Sequence, residues 1–285
     1  MSKIHFTDKN GTFTITNPEN YSGLYLPLAG EEGLKSSITP TLGGDSKTDQ
    51  NHFLLEPVSI ENLHNNRGTR NFWCRVEGKG YWSACGASAE QEFDKYTDRQ
   101  DESTLEAGMM WQKLTRTSKK YDLQSEITSF VSVDGTTEIH LIKITNLSEE
   151  EQEVTPIAAI PVYGRSADNI RDHRHVTSLL HRIDTTECGV EVTPVLSFDE
   201  RGHQKNNTTY FVYGFTAEGN APKEFYPTVE SFIGEGGSFL IPEAVRVEKA
   251  GCAAGCHLEG KEAVGAFRFE SRKLKANESI EYVVL

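Results

Sequence analysis

Short segments rich in alternating, β-branched and aromatic residues, each closed by a glycine-containing turn, recur along this 285-residue chain. The series begins in KIHFTDKNGTFTIT, residues 3–16, where alternation surrounds Asn10-Gly11, a pair that accepts the positive φ angles of a tight hairpin. Residues 105–116 and 121–133 read as strands, and Asp134-Gly135 turns the second of them into TEIHLIKIT at 137–145. Residues 178–186 and 190–198 flank Cys188-Gly189 as a further hairpin. Strands follow at 208–217, 266–270 and 279–285. Between 154 and 162 the run is apolar instead of alternating, which suits a strand covered on both faces. In residues 24–44, LYLPLAGEEGLKSSITPTLGG, Pro27, Pro40 and the glycines rule out a helix. The charged stretch 88–106 fits a short helix or an exposed loop equally well. Successive hairpins must bury one face, and two packed antiparallel sheets do this. The expected fold is all-β, a large antiparallel two-sheet sandwich, with residues 1–285 as one domain.

Charge and cysteines narrow the partners. A formal net charge of -13 repels both a nucleic-acid backbone and an anionic membrane surface, so neither is expected as a partner. No stretch approaches the roughly 18 apolar residues of a membrane span. MSKIHFTDKNGTF carries no apolar signal-peptide core, which makes the cytoplasm the expected location. Five cysteines, at 74, 85, 188, 252 and 256, are an odd and scattered set that fits reduced thiols. The sequons at Asn146, Asn207 and Asn277 are then chance matches. CAAGCH, residues 252–257, has the Cys and His types of a zinc site but no matching second pair elsewhere, so no metal and no cofactor are expected.

Two stretches carry chemistry. RNFWCRVEGKGYWSACG, residues 70–86, reads as a hairpin reversing over Glu77-Gly78-Lys79-Gly80, with Trp73 and Trp82 close to cross-strand partners and Arg75 beside them. Indole faces next to a guanidinium suit a pyranose, whose C–H faces stack on rings while its hydroxyls meet charged donors; two tryptophans in a hairpin are more often core or interface packing than a sugar platform. GRSADNIRDHRH, residues 164–175, has charge and no apolar face. Its Asp168, Arg171, His173 and His175 fit sugar or anion binding, or ion pairing with another domain, and fit a solvated loop as well. A mutarotase-type sugar enzyme would need a carboxylate base and a histidine acid across a pyranose, for which His175, His181 and Glu230 are the available groups.

Four segments in order resemble one family: Ser37-Ile-Thr-Pro40 running into Gly43-Gly44-Asp45-Ser46, Arg75 with Trp82-Ser83, Ala167-Asp168 leading to His175, and Phe232-Ile-Gly with Gly237-Ser238 and Pro242-Glu-Ala. They resemble the N-terminal domain of glycoside hydrolase family 94, the inverting glycoside phosphorylases formerly grouped as glycosyltransferase family 36. LKSSITPTLGGDSKTDQ and RDHRHVTSLLHRI are most similar to the 1,2-β-oligoglucan phosphorylases. The resemblance implies a galactose-mutarotase-like β-supersandwich acting as a carbohydrate-binding and assembly module. In the family it precedes a helical linker, an (α/α)6 catalytic barrel and a C-terminal domain, and residues 1–285 match none of these. The barrel's aspartate protonates the glycosidic oxygen while inorganic phosphate, a co-substrate, attacks the anomeric carbon, giving α-glucose 1-phosphate. This chain is therefore expected to be inactive alone. Its expected partners are a β-glucan oligosaccharide, the barrel in the same or a separate chain, and a second copy of itself. The contacts would come from Trp73, Arg75, Trp82 and the loop residues Asp168, Arg171, His173 and His175. A mutarotase-like epimerase and a simple carbohydrate-binding module are the alternatives.

Overall fold

A computed structural model describes residues 4–21, 24–58, 69–167, 177–199 and 202–285. Two antiparallel sheets dominate. The larger runs, edge to edge, through Ile4–Phe6, Phe13–Thr16, Glu102–Gly108, Trp111–Ser118, Leu123–Val131, Glu138–Asn146, Ser279–Val284, Tyr210–Thr216, Gly189–Pro194, His181–Thr185 and His257–Glu259. The smaller runs through Glu224–Thr228, Ala263–Arg268, Gln152–Val162, Asn71–Val76 and Gly80–Ser83, with Arg272–Leu274 also paired to Gln152–Val162. Alternation aims one set of side chains from each sheet into a shared core. Ile127, Ile142 and Ile144 come from the larger sheet and Phe72, Cys74, Val154 and Ala158 from the smaller. Phe72 and Tyr282 meet across the gap with ring centroids 5.3 Å apart. This is the expected two-sheet sandwich.

The apolar run in the middle of the chain is covered on both faces, as read. Val154, Ala158 and Ile160 of Gln152–Val162 face the main core, while Ile157 and Ala159 enter a second core on the outer face of the smaller sheet. That outer core is roofed by two short helices, Val229–Ile233 and Glu243–Arg246. A third layer, Leu26–Ala29, Lys35–Ile38, Ser46–Asp49 and His52–Phe53, adds Leu28 and Ile38 to the main core.

Two readings change. Residues 105–116 are not one strand: Gly108 pairs with Trp111, and Met109 and Met110 form the reversal, with Met110 at φ 62°. The ambiguous stretch 88–106 splits into the helix Ala89–Asp94 and the strand that begins at Glu102. All five cysteines are free, Cys74 and Cys85 being buried. Among the described residues no helix is long and apolar enough to cross a membrane.

Candidate functional site: a cleft on the outer face of the smaller sheet

The hairpin at 71–83 forms, but its turn is one residue shorter than read. Val76 pairs with Gly80, so the loop holds only Glu77, Gly78 and Lys79, and Trp73 pairs with Ser83 while Cys74 pairs with Trp82. A one-residue change of register moves every side chain of a strand to the other face. Trp82 therefore lies in the main core and donates its indole N–H to Asp101 at 2.8 Å. Trp73 lies on the opposite face among Ala159, Tyr226, Phe232 and Val245. Both rings are buried, so the pair is core packing, the commoner of the two expected uses, and no two-tryptophan platform forms. Arg75 shares the Trp73 face, is half-buried, and reaches Glu248 at 3.5 Å.

Beside Trp73 opens a cleft of about 790 Å³. One wall is the turn at 39–43. Thr39 exchanges backbone bonds with Gly43 and Leu42, and its hydroxyl accepts from the Gly43 N–H at 2.9 Å. Gly44 closes this turn at φ +110°, where a Cβ would lie 1.9 Å from the Ser37 carbonyl oxygen, so only glycine fits. The facing wall follows the helix Val229–Ile233, whose start is fixed by a capping box between Thr228 and Ser231. It supplies Phe232, Ile233, Ser238, Phe239 and Leu240. The floor holds Asn71, Trp73 and Ala159. Asn71 is clamped by donating to the Ala87 carbonyl at 3.0 Å and accepting from Ser83 Oγ at 2.7 Å.

The helix Ala89–Asp94 flanks the mouth. Ser88 caps it by accepting from the Gln91 N–H, and the Ala89 N–H donates to the Leu240 carbonyl at 3.0 Å, which joins the helix to the facing wall. Glu92, Lys95 and Tyr96 line the opening with Tyr21 and Leu24. Deeper in, burial raises the Glu19 carboxyl pKa, but Arg116 at 3.1 Å and the Ser103 hydroxyl at 2.6 Å outweigh it and leave the net pKa below the usual value. Glu19 is thereby tied up as an anion. No histidine is among the described residues lining the cleft. Aromatic rings, hydroxyls and an amide equip the cleft to hold a neutral polyhydroxylated chain.

A buried polar cluster that sequence reasoning missed supports the turn from behind. Arg70 donates to the Leu42, Gly43 and Asp45 carbonyls at 3.2, 3.3 and 3.0 Å and pairs with both oxygens of Glu138. Glu138 also accepts from Ser36 Oγ and bonds His140 Nε2 at 2.8 Å, and His140 Nδ1 meets Ser129 Oγ at 2.8 Å. Burial works against the Glu138 anion, but the Arg70 guanidinium and His140 hold its carboxyl well below the usual range. The available signal was polar Glu138 and His140 two apart on one strand face.

The other candidates do not converge. His181 is buried, and Arg165 Nε donates to its Nε2 at 3.4 Å; burial, then the Arg165 charge, lower its pKa to about 3, so it is neutral. Glu230 is exposed and paired with Lys261 at 3.0 Å. Asp168, Arg171, His173 and His175 lie outside the described residues. His257 is held by Asp184 at 2.7 Å and Glu259 at 3.3 Å. Among the described residues no group of three or more His, Cys, Asp or Glu side chains is arranged to hold a metal ion.

A search of curated proteins found no match. The family model described as glycosyl hydrolase 94, supersandwich domain, matches residues 29–285, a span that takes in both cleft walls, the hairpin and nearly all of both sheets. The sandwich derived above is thus that supersandwich, and the chain belongs to the glycosyl hydrolase 94 family.

Proposed function

We propose that this chain is the N-terminal carbohydrate-binding and assembly module of an inverting β-glucan phosphorylase acting on 1,2-β-oligoglucans. The reaction is β-glucan plus inorganic phosphate to α-glucose 1-phosphate, and its acid and phosphate-binding groups belong to an (α/α)6 barrel in the same or a separate chain. The observation that carries the reading is convergence: Thr39, Pro40 and Gly43 of one family-like segment and Phe232, Ile233, Gly237 and Ser238 of another, far apart in sequence, line one cleft. Trp73 and Arg75 share the face on which it opens, whereas Trp82 lies on the opposite face, in the main core. Asp168, Arg171, His173 and His175 are carried forward as contacts to the barrel. The mutarotase-like alternative loses support, because His181 is neutral beneath Arg165 and Glu230 is engaged by Lys261.

The test is phosphorolysis. The purified chain, a separately made barrel and their mixture are incubated with 1,2-β-glucooligosaccharides and phosphate, and glucose 1-phosphate is assayed. The expected result is no product from the chain alone and more product from the mixture than from the barrel. Product from the chain alone, proportional to protein and lost on denaturation, would overturn the proposal.

A further inference from the structure

We infer that the outer-face cleft is itself a binding subsite for a β-linked glucose oligomer, with Tyr96 at its mouth as the stacking ring. The inference rests on the β-glucan reading above and adds a place on this chain where the glucan is held.

The helix Ala89–Asp94 buries none of its side chains. Tyr96, just beyond the helix, lines the cleft and is 71% exposed, with Lys95 Nζ 5.8 Å from its ring centroid. An aromatic ring presented at the lip of a concavity suits the apolar ring face of a ligand. Tyr96 is also held in place. Its φ of 66° is a left-handed conformation that an aromatic residue rarely takes. Its N–H donates to Gln100 Oε1 at 2.9 Å and its hydroxyl donates to the Asn20 carbonyl at 3.3 Å, while Gln100 is gripped in turn by Asn20 at 2.9 Å. The surroundings thus fix the ring at the opening, on the side of Tyr21.

The wall chemistry selects the ligand class. Thr39, Thr41, Thr69, Asn71 and Ser238 offer hydroxyl and amide groups, and among the described lining residues the formal charges are Glu92 and Lys95, one of each sign, and Glu19, which is neutralised by its ion pair with Arg116. Neither an anion nor a cation is favoured, whereas a neutral chain with hydroxyl edges and apolar ring faces meets both kinds of surface. A volume of about 790 Å³ lies within the range of small-ligand sites.

The test is titration of the intact chain with sophorotetraose, by calorimetry and by intrinsic tryptophan fluorescence, for wild type, Tyr96→Ala and Phe6→Ala. Phe6 is 64% exposed and does not line the cleft, so it controls for loss of any surface ring. Wild type and Phe6→Ala are expected to bind alike, and Tyr96→Ala about tenfold more weakly, the equivalent of losing about 1.4 kcal/mol, at unchanged melting temperature. No saturable binding by wild type, or equal binding by folded Tyr96→Ala, would overturn the inference. The phosphorolysis assay reads the module reading separately: stimulation of the barrel without binding by this chain sinks the subsite alone, and binding without stimulation sinks the module.

Discussion

His181 ties stability to pH with a definite sign. Its folded pKa of about 3 lies below the ordinary histidine value of about 6.5, so the unfolded chain takes up a proton that the folded chain refuses. Stability from this residue is complete above about 6.5 and falls by about 1.4 kcal/mol per pH unit as the pH drops toward 3. Glu138 loses its contribution only below the usual carboxylate range, so the interval from pH 6.5 down to about 5 lies clear of it, and comparison with His181→Gln separates His181 from the other histidines, among them His257, whose pKa its bonds to Asp184 and Glu259 raise. Urea unfolding across that interval should show the slope, and His181→Gln, which keeps an acceptor for Arg165, should remove about one proton's worth of it. An unchanged slope in the variant would contradict the assignment. Such partnerships are hard to read from a sequence. The alternation around His181 was plain, but Arg165 reaches it only through the folded chain. Trp73 and Trp82 teach the same lesson at closer range: their residue types were plain, yet their faces turned on whether the hairpin loop held three residues or four.

Elements were legible where their turns carry turn chemistry. Asn10-Gly11, Asp134-Gly135 and Cys188-Gly189 each sit at a reversal between paired strands. The reversal at Met109 and Met110 was not, because neither residue prefers a turn and the flanking strands hold it in place. The helix Val229–Ile233 was also missed, being too short for a period to show; its signal was the cap. Thr228 accepts from the Ser231 N–H at 3.1 Å, and its own N–H donates to Ser231 Oγ at 3.1 Å. Thr228→Ala should cost about 1 kcal/mol, read as a lower midpoint in urea unfolding. Because this helix carries Phe232 into the cleft wall against Trp73, the change should also alter tryptophan emission. A variant with wild-type stability would show that packing alone holds the helix.

Across the whole molecule, the sandwich class followed from one hairpin after another, but strand order did not, because it is set by pairs distant in sequence. The clearest case is Ser279–Val284, which lies between Glu138–Asn146 and Tyr210–Thr216 and joins the two halves of the larger sheet. Removing residues 279–285 should abolish the single cooperative transition in calorimetry, since two strands lose their shared neighbour and Ile280, Tyr282 and Val284 leave the core. A truncated chain that still melts cooperatively would show that the two halves close without this strand. The same placement bears on how the chain is made. The ribosome releases this central strand only after every other strand of its sheet, so each nascent molecule must keep two half-sheets apart from one another and from neighbouring chains until the keystone arrives.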